Sequence, residues 1–137
     1  VDPFLVSPTL IMAIGQRLVR TLCDESKRKL AVTGSLRERL EKELAGVPEE
    51  GRKEIKFPKE IYQALPSGVC PKGTRGRKGI YEVLTMTPEL EKIILKSPSE
   101  IDIMQEGRRQ GMITMREDGI LKVLKGQVGL EEHSEVL

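Results

Sequence analysis

The sequence predicts an α+β fold, mainly α, built from a short antiparallel β-ribbon and a small C-terminal helical bundle. Three observations carry this expectation. Gln16–Arg20 and Gly79–Thr85 both alternate polar and apolar residues, the period of a half-buried strand. Helix-start signals recur through the last third of the chain, at Thr87-Pro88, at Ser97-Pro98-Ser99-Glu100 and at Thr114-Met115-Arg116-Glu117. The 137 residues hold two Phe, two Tyr and no Trp, so any core must rest on Leu, Ile, Val and Met.

In chain order, Ser7 reads as an N-cap with Pro8 at the first helical position, opening a helix that Gly15 ends. A strand follows over Gln16–Arg20, with Gly79–Thr85 as its partner. Between them lies a long excursion, residues 23–75. Within it Ser35-Leu36-Arg37-Glu38 is a capping box, opening a helix with Leu36, Leu40 and Leu44 on one face that stops at Gly46-Val47-Pro48. Phe57-Pro58-Lys59-Glu60-Ile61 opens a second short helix ending at Leu65-Pro66, and charged Glu49–Lys56 reads as a solvated linker. After Thr87 come four helices with short connections, the last over Leu130–Val136. Met104, Met112 and Met115 fall at bundle-facing positions as core filler. His133, among Glu131, Glu132 and Glu135, reads as solvated in a frayed acidic tail.

The chemistry-bearing stretch is Lys72-Gly73-Thr74-Arg75-Gly76-Arg77-Lys78-Gly79, which runs straight into the second strand. Its glycines permit a tight turn and close backbone approach, and its arginines and lysines suit phosphate or carboxylate. It is not a phosphate-binding loop of the G-x-x-x-x-G-K-[ST] type, a pattern found nowhere in these residues. A solvated basic turn is the plain alternative. Net charge of +2 and the scarcity of aromatics argue against a nucleic-acid binder, which needs a basic face or a stacking platform. No apolar run approaches a membrane span, and no secretory signal opens the chain. Val1 and the segment after it read like the middle of a longer protein. Cys23 and Cys70, far apart in sequence, fit two free thiols in a reducing cytoplasm.

Taken together, Asp2-Pro3-Phe4-Leu5-Val6, Gln16-Arg17-Leu18-Val19-Arg20-Thr21-Leu22-Cys23, Gly76-Arg77-Lys78-Gly79-Ile80-Tyr81-Glu82-Val83-Leu84 and Gln110 to Gly119 resemble, in order, the C-terminal part of the hexameric secretion ATPases of type II secretion and type IV pilus assembly. The pilus extension ATPase is the nearest resemblance, and residues 24–69 are the weakest part of it. The resemblance implies that residues 1–86 form the C-terminal edge of a RecA-like ATPase domain, with a degenerate metal-knuckle and helical insertion at 23–75, and that residues 87–137 form a helical subdomain. It implies ATP and magnesium as cofactors of the parent, whose phosphate loop and acidic boxes lie upstream, so these residues do not hydrolyse ATP alone. It implies Arg75, Gly76 and Arg77 as a nucleotide-flanking loop, although this loop is about two residues shorter than the family's. The family's two C-x-x-C pairs survive only as Cys23 and Cys70, so a four-thiolate zinc knuckle is not expected. The implied partners are a homo-hexamer and an inner-membrane platform protein, with a cytoplasmic location peripheral to the bacterial inner membrane and no direct membrane insertion. The alternative is a nucleic-acid-binding helical adaptor with a basic β-ribbon.

Overall fold

Asp2 opens the first helix: its carboxylate accepts the Phe4 N–H at 2.9 Å, and Pro3 takes the first helical position, where a missing N–H costs nothing. The computed structural model describes residues 1–137. Helix α1 is Pro3–Thr9, so Ser7 lies inside the helix, buried, rather than at its cap. Strand β1 follows over Met12–Leu22, and Gly15 sits within it rather than ending a helix. The reason is nonlocal. Gly15 lies opposite Glu82, whose Cγ occupies the space 3.0 Å from where a Cβ would stand.

The excursion adds strand β2 over Arg28–Ala31, helix α2 over Gly34–Glu43, the short helix α3 over Glu49–Lys53 and strand β3 over Glu60–Gln63. The cap of α2 is Thr33, which makes no side-chain capping bond, so the Ser35–Glu38 capping box does not form. Residues 60–63 are a strand and not the expected helix, because Leu30 and Ile61 face each other across β2 and β3 and Ile61 is fully buried. Lys59 seals the pairing by accepting the Val32 N–H at 2.9 Å.

Strand β4, Thr74–Thr85, pairs antiparallel with β1 in the register Gln16↔Tyr81 and Arg20↔Arg77. Helices α4 (Pro88–Ile94), α5 (Glu100–Arg109), α6 (Met115–Leu124) and α7 (Leu130–Val136) complete the chain. Thr87 caps α4 and the Thr114–Glu117 capping box opens α6, as the sequence predicts. The box of α5 sits two residues later than expected, between Ser99 and Asp102, leaving Pro98 outside the helix. Glu106 joins α5 to the cap of α4. Arg109, Thr87 and Gln110 all donate to its carboxylate, and the Arg109 hydrogen bond above all lowers its pKa to about 2.

The bundle is open and built on the strands. α4 and α5 pack on each other, while α6 and α7 lie on the ribbon, with α6 also touching α2 and β3. One core joins the ribbon, β2 and β3, α2, α6 and α7, with Val19, Leu40, Ile61, Ile80, Ile120 and Val128 at its centre. Met112 and Met115 are partly buried, but Met104 is exposed rather than core filler. No helix is long and apolar enough to cross a membrane.

His133 is buried, not solvated, and the tail is an ordered helix. Helical spacing puts Leu130, His133 and Leu137 on the face turned to the core, while Glu131 and Glu135 are exposed and Glu132 turns to Arg20 of β1. His133 Nε2 meets the Arg116 carbonyl at 2.8 Å, while Nδ1 is buried without a partner. Burial holds its pKa below the usual histidine value; the hydrogen bond to the Arg116 carbonyl and the charge of Glu43 oppose this, and the charges of Arg116 and Arg39 push the same way as burial. Because the folded state keeps His133 neutral, its contribution is fully present above the unfolded pKa of about 6.5 and is lost as pH falls below it. Urea midpoints measured from pH 8 to pH 5 are expected to fall, and a His133→Gln variant is expected to flatten that slope. An equal slope in both chains would remove His133 as its source.

Candidate functional site

The basic stretch forms the end of the ribbon from which the excursion leaves and to which it returns. Gly73, at φ 71°, closes a turn in which its N–H donates to the Cys70 carbonyl at 2.8 Å. Beyond it the register jumps: Arg20 faces Arg77, but Leu22 faces Thr74. One residue of β1, Thr21, therefore opposes two of β4, Arg75 and Gly76, which is a β-bulge. Gly76 takes φ 81° to accommodate it, and the Thr21 hydroxyl donates to the Arg75 carbonyl. The three residues singled out from the sequence thus sit together on a bulge, a local geometry suited to aiming side chains out of a ladder.

The two arginines of the bulge differ in their surroundings. Arg75 pairs with Glu25 at 3.2 Å, an exposed contact worth little. Arg77 is exposed and makes neither an ion pair nor a side-chain hydrogen bond. It stands across the ladder from Arg20, whose charge is taken up by Glu132 at 3.1 Å. Arg77 is therefore the guanidinium of this group with its donors free.

Beside the bulge lies an open cleft of about 440 Å³ whose charged lining is Asp24, Glu25, Lys27, Arg75, Lys78 and Lys125. Lys27 is anchored there by Asp24 at 2.6 Å and by the Gly126 carbonyl at 3.1 Å, and Lys78 donates to Gln127 at 3.0 Å. Sequence reasoning missed Lys27 and Lys125. Each reaches the cleft through tertiary packing, and no local pattern marks them.

The cysteines require a correction. Cys23 and Cys70 are not free thiols but a disulfide, with Cα atoms 6.4 Å apart. A signal for this was present: Cys23 directly follows β1 and Cys70 shortly precedes β4, so an antiparallel ribbon brings them to the same end. The donors at the knuckle position are two sulfurs already bonded to each other, and a four-thiolate zinc site does not fit these residues.

The two edges of the ribbon are treated differently. Outward N–H groups of β4 are covered by side chains, Tyr81 by Asp118 at 2.9 Å and Thr85 by Gln110 at 3.1 Å. On β1 only the far end is covered, where Glu132 accepts the Arg20 N–H at 2.8 Å and the Gln127 carbonyl accepts that of Leu22 at 2.9 Å. The alternation of an antiparallel ladder turns the backbone groups of Met12, Ile14, Gln16 and Leu18 outward as well, and nothing in the chain meets them. The ribbon face carrying Met12, Ile14, Leu18, Tyr81 and Val83 beside Gln16 and Thr85 is mainly apolar, yet these five apolar residues are 42–58% exposed.

The family model described as Type II/IV secretion system protein matches residues 1–135. The chain is 35% identical over 136 residues to the type IV pilus assembly ATPase PilB of Pseudomonas aeruginosa, covering 99% of this chain and 22% of that protein. It is 33% identical over 136 residues to PilB of Thermus thermophilus, covering 96% of this chain and 14% of that protein. It is 34% identical over 133 residues to the type II secretion system ATPase E of Vibrio cholerae, covering 96% of this chain and 24% of that protein. The chain thus spans less than a quarter of the length of these relatives.

Proposed function

The chain belongs to the Type II/IV secretion system protein family, and from that premise we propose that it forms the C-terminal edge of a hexameric ATPase that powers type IV pilus assembly or type II secretion. In this reading residues 1–86 complete a RecA-like domain, with residues 23–75 as an insertion, and residues 87–137 form a helical module at its rim. The observation that carries the reading is the asymmetry of the ribbon. A sheet that ended on both sides would guard both edges. Here β4 is guarded by Asp118 and Gln110, while β1 offers an unpaired edge and an apolar face. Both features suit a ribbon that continues a larger sheet supplied by other parts of the parent chain.

ATP with magnesium supplies the transferable phosphoryl group in such a motor. The residues of this chain that fit its flank are Arg75, Gly76 and Arg77. Gly76 lets the backbone approach closely, and the free guanidinium of Arg77 matches phosphate or ribose oxygens. Arg75, tied to Glu25, serves to hold the turn. The exposed Leu95, Ile101 and Met104 of the α4–α5 pair suit packing against a neighbouring subunit of a homo-hexamer. Placement in the cytoplasm, against the inner membrane through an integral platform protein, completes the proposal.

The test is steady-state ATP hydrolysis by the full-length parent and by its Arg77→Ala variant. Turnover in the variant is expected to fall about ten-fold or more, the scale of losing one charged donor at a phosphoryl site, while the hexamer stays intact. Unchanged turnover would remove Arg77 from the site. A folded hexameric parent without ATPase activity would overturn the motor reading. Binding to nucleic acid that weakens steeply with salt would then favour the adaptor.

A further inference from the structure

We propose that Cys23 and Cys70 form a reversible thiol–disulfide site, served by the cationic cleft beside them, whose co-reactant is a small anionic thiol and its disulfide. The pair occupies a strategic position. Cys23 and Cys70 are 1% and 3% exposed, 47 residues apart in sequence, and their bond closes the excursion at its root. The Cys23 N–H donates to the Gly73 carbonyl at 3.1 Å, so the crosslink adjoins the turn from which Arg75, Gly76 and Arg77 emerge.

The two cysteines differ in their surroundings. Cys23 lines the cleft of about 440 Å³, and Cys70 does not. That volume suits a ligand of tripeptide size. Four basic side chains, Lys27, Arg75, Lys78 and Lys125, outnumber the acidic Asp24 and Glu25 along the same wall. A surplus of positive charge draws an anionic thiol inward and stabilises the thiolates that exchange requires.

The chemistry closes without a metal or a nucleotide. The incoming thiolate attacks Cys23 Sγ, the Cys23–Cys70 bond breaks, and its electron pair leaves on Cys70 Sγ, which takes a proton. Cys23 then carries a mixed disulfide. A second thiolate attacks the small-molecule sulfur of that mixed disulfide, and Cys23 departs as a thiolate and is protonated. Two small thiols are oxidised to their disulfide, and the protein disulfide is reduced to two thiols. The reverse sequence, driven by the small disulfide, restores the crosslink. Reduction unfastens the root of the excursion and loosens the turn at Arg75–Arg77.

The experiment uses the full chain, glutathione as the anionic probe and cysteamine as a cationic one. After equilibration in air, the denatured protein is expected to take up no maleimide until it is reduced, and then two. Two reactive thiols at the outset would overturn the crosslink. Glutathione is expected to reduce the native protein about ten-fold faster than cysteamine at equal thiolate concentration, and equal or reversed rates would overturn the role of the cleft. Trypsin is expected to cut after Arg75 and Arg77 several-fold faster in the reduced chain, and identical cutting would overturn the coupling to the turn. With glutathione disulfide, Cys70→Ser is expected to gain its adduct about ten-fold faster than Cys23→Ser. The opposite order would overturn Cys23 as the attacked sulfur, and the wild-type comparison of the two thiols stands whether or not either variant folds.

Discussion

Replacing Glu117 with alanine is expected to cost about 3 kcal/mol of stability, at the lower end of what removing one partner from a buried ion pair costs. Two separate duties meet on this carboxylate, which is 4% exposed. As the third residue of α6 it accepts the Thr114 N–H at 2.9 Å, while Thr114 Oγ1 accepts the Glu117 N–H at 3.2 Å. It also receives both arms of the Arg108 guanidinium, at 2.6 and 2.7 Å, and so ties α5 to α6. Gly46 lies against the pair, since a Cβ there would stand 2.8 Å from Glu117 Oε1 and 2.9 Å from Arg108. Truncation strands a guanidinium whose side chain is only 27% exposed and opens the helix start. The partial exposure of Arg108 lets water repay some of that loss, which keeps the figure from the top of the range. Glu117→Gln keeps the volume and some of the hydrogen bonds and is expected to cost about half as much. Urea unfolding with an unchanged m-value reads both. Arg116→Ala is the control, since its pair with Glu43 is more exposed and its loss is expected to cost about 1 kcal/mol. A Glu117→Ala chain within 1 kcal/mol of wild type would show that the pair is not holding the two helices together.

The same residue shows what was legible beforehand. Thr114-Met115-Arg116-Glu117 announces the start of α6 because a capping box is a local agreement between residues three apart. Likewise Gly111 and Gly126 take positive φ where the sequence stops α5 and α6. Strands β2 and β3 were illegible for the opposite reason. Four residues carry almost no periodicity, and Ile61 becomes a strand residue only by meeting Leu30 across the excursion. Phe57-Pro58-Lys59-Glu60-Ile61 imitates a helix start, and nothing local contradicts it. At the site, Arg75-Gly76-Arg77 could be read because its glycine and charges are adjacent. The cleft could not, because Lys27 meets Gly126 across 99 residues. The acidic sequence neighbours of His133 suggest a solvated residue, whereas helical spacing sets it with Leu130 and Leu137, and it is buried.

Gly73→Ala is expected to cost about 2–4 kcal/mol, the sum of a left-handed backbone forced on a residue with a Cβ and an overpacked contact. The residue stands at φ 71°, and a Cβ there would lie 2.7 Å from the Leu65 nitrogen, 2.8 Å from its carbonyl carbon and 3.0 Å from its oxygen. These are backbone atoms, so no rotamer change relieves the overlap. The turn must move, and two interactions move with it: the Gly73 N–H bond to Cys70 and the Cys23 N–H bond to Gly73. Gly111→Ala separates the two terms. Gly111 has φ 89° but open space where its Cβ would go, so that variant is expected to carry only the backbone cost, about 1 kcal/mol. Equal losses in the two variants would mean that the turn yields freely and that Leu65 imposes nothing on it. A larger loss at Gly73 is expected to be accompanied by slower closure of the Cys23–Cys70 bond during oxidative refolding, because the return of the excursion to β4 sets the approach of the two sulfurs. The geometry of one glycine would then govern both the crosslink at the root of the excursion and the bulge from which Arg77 projects.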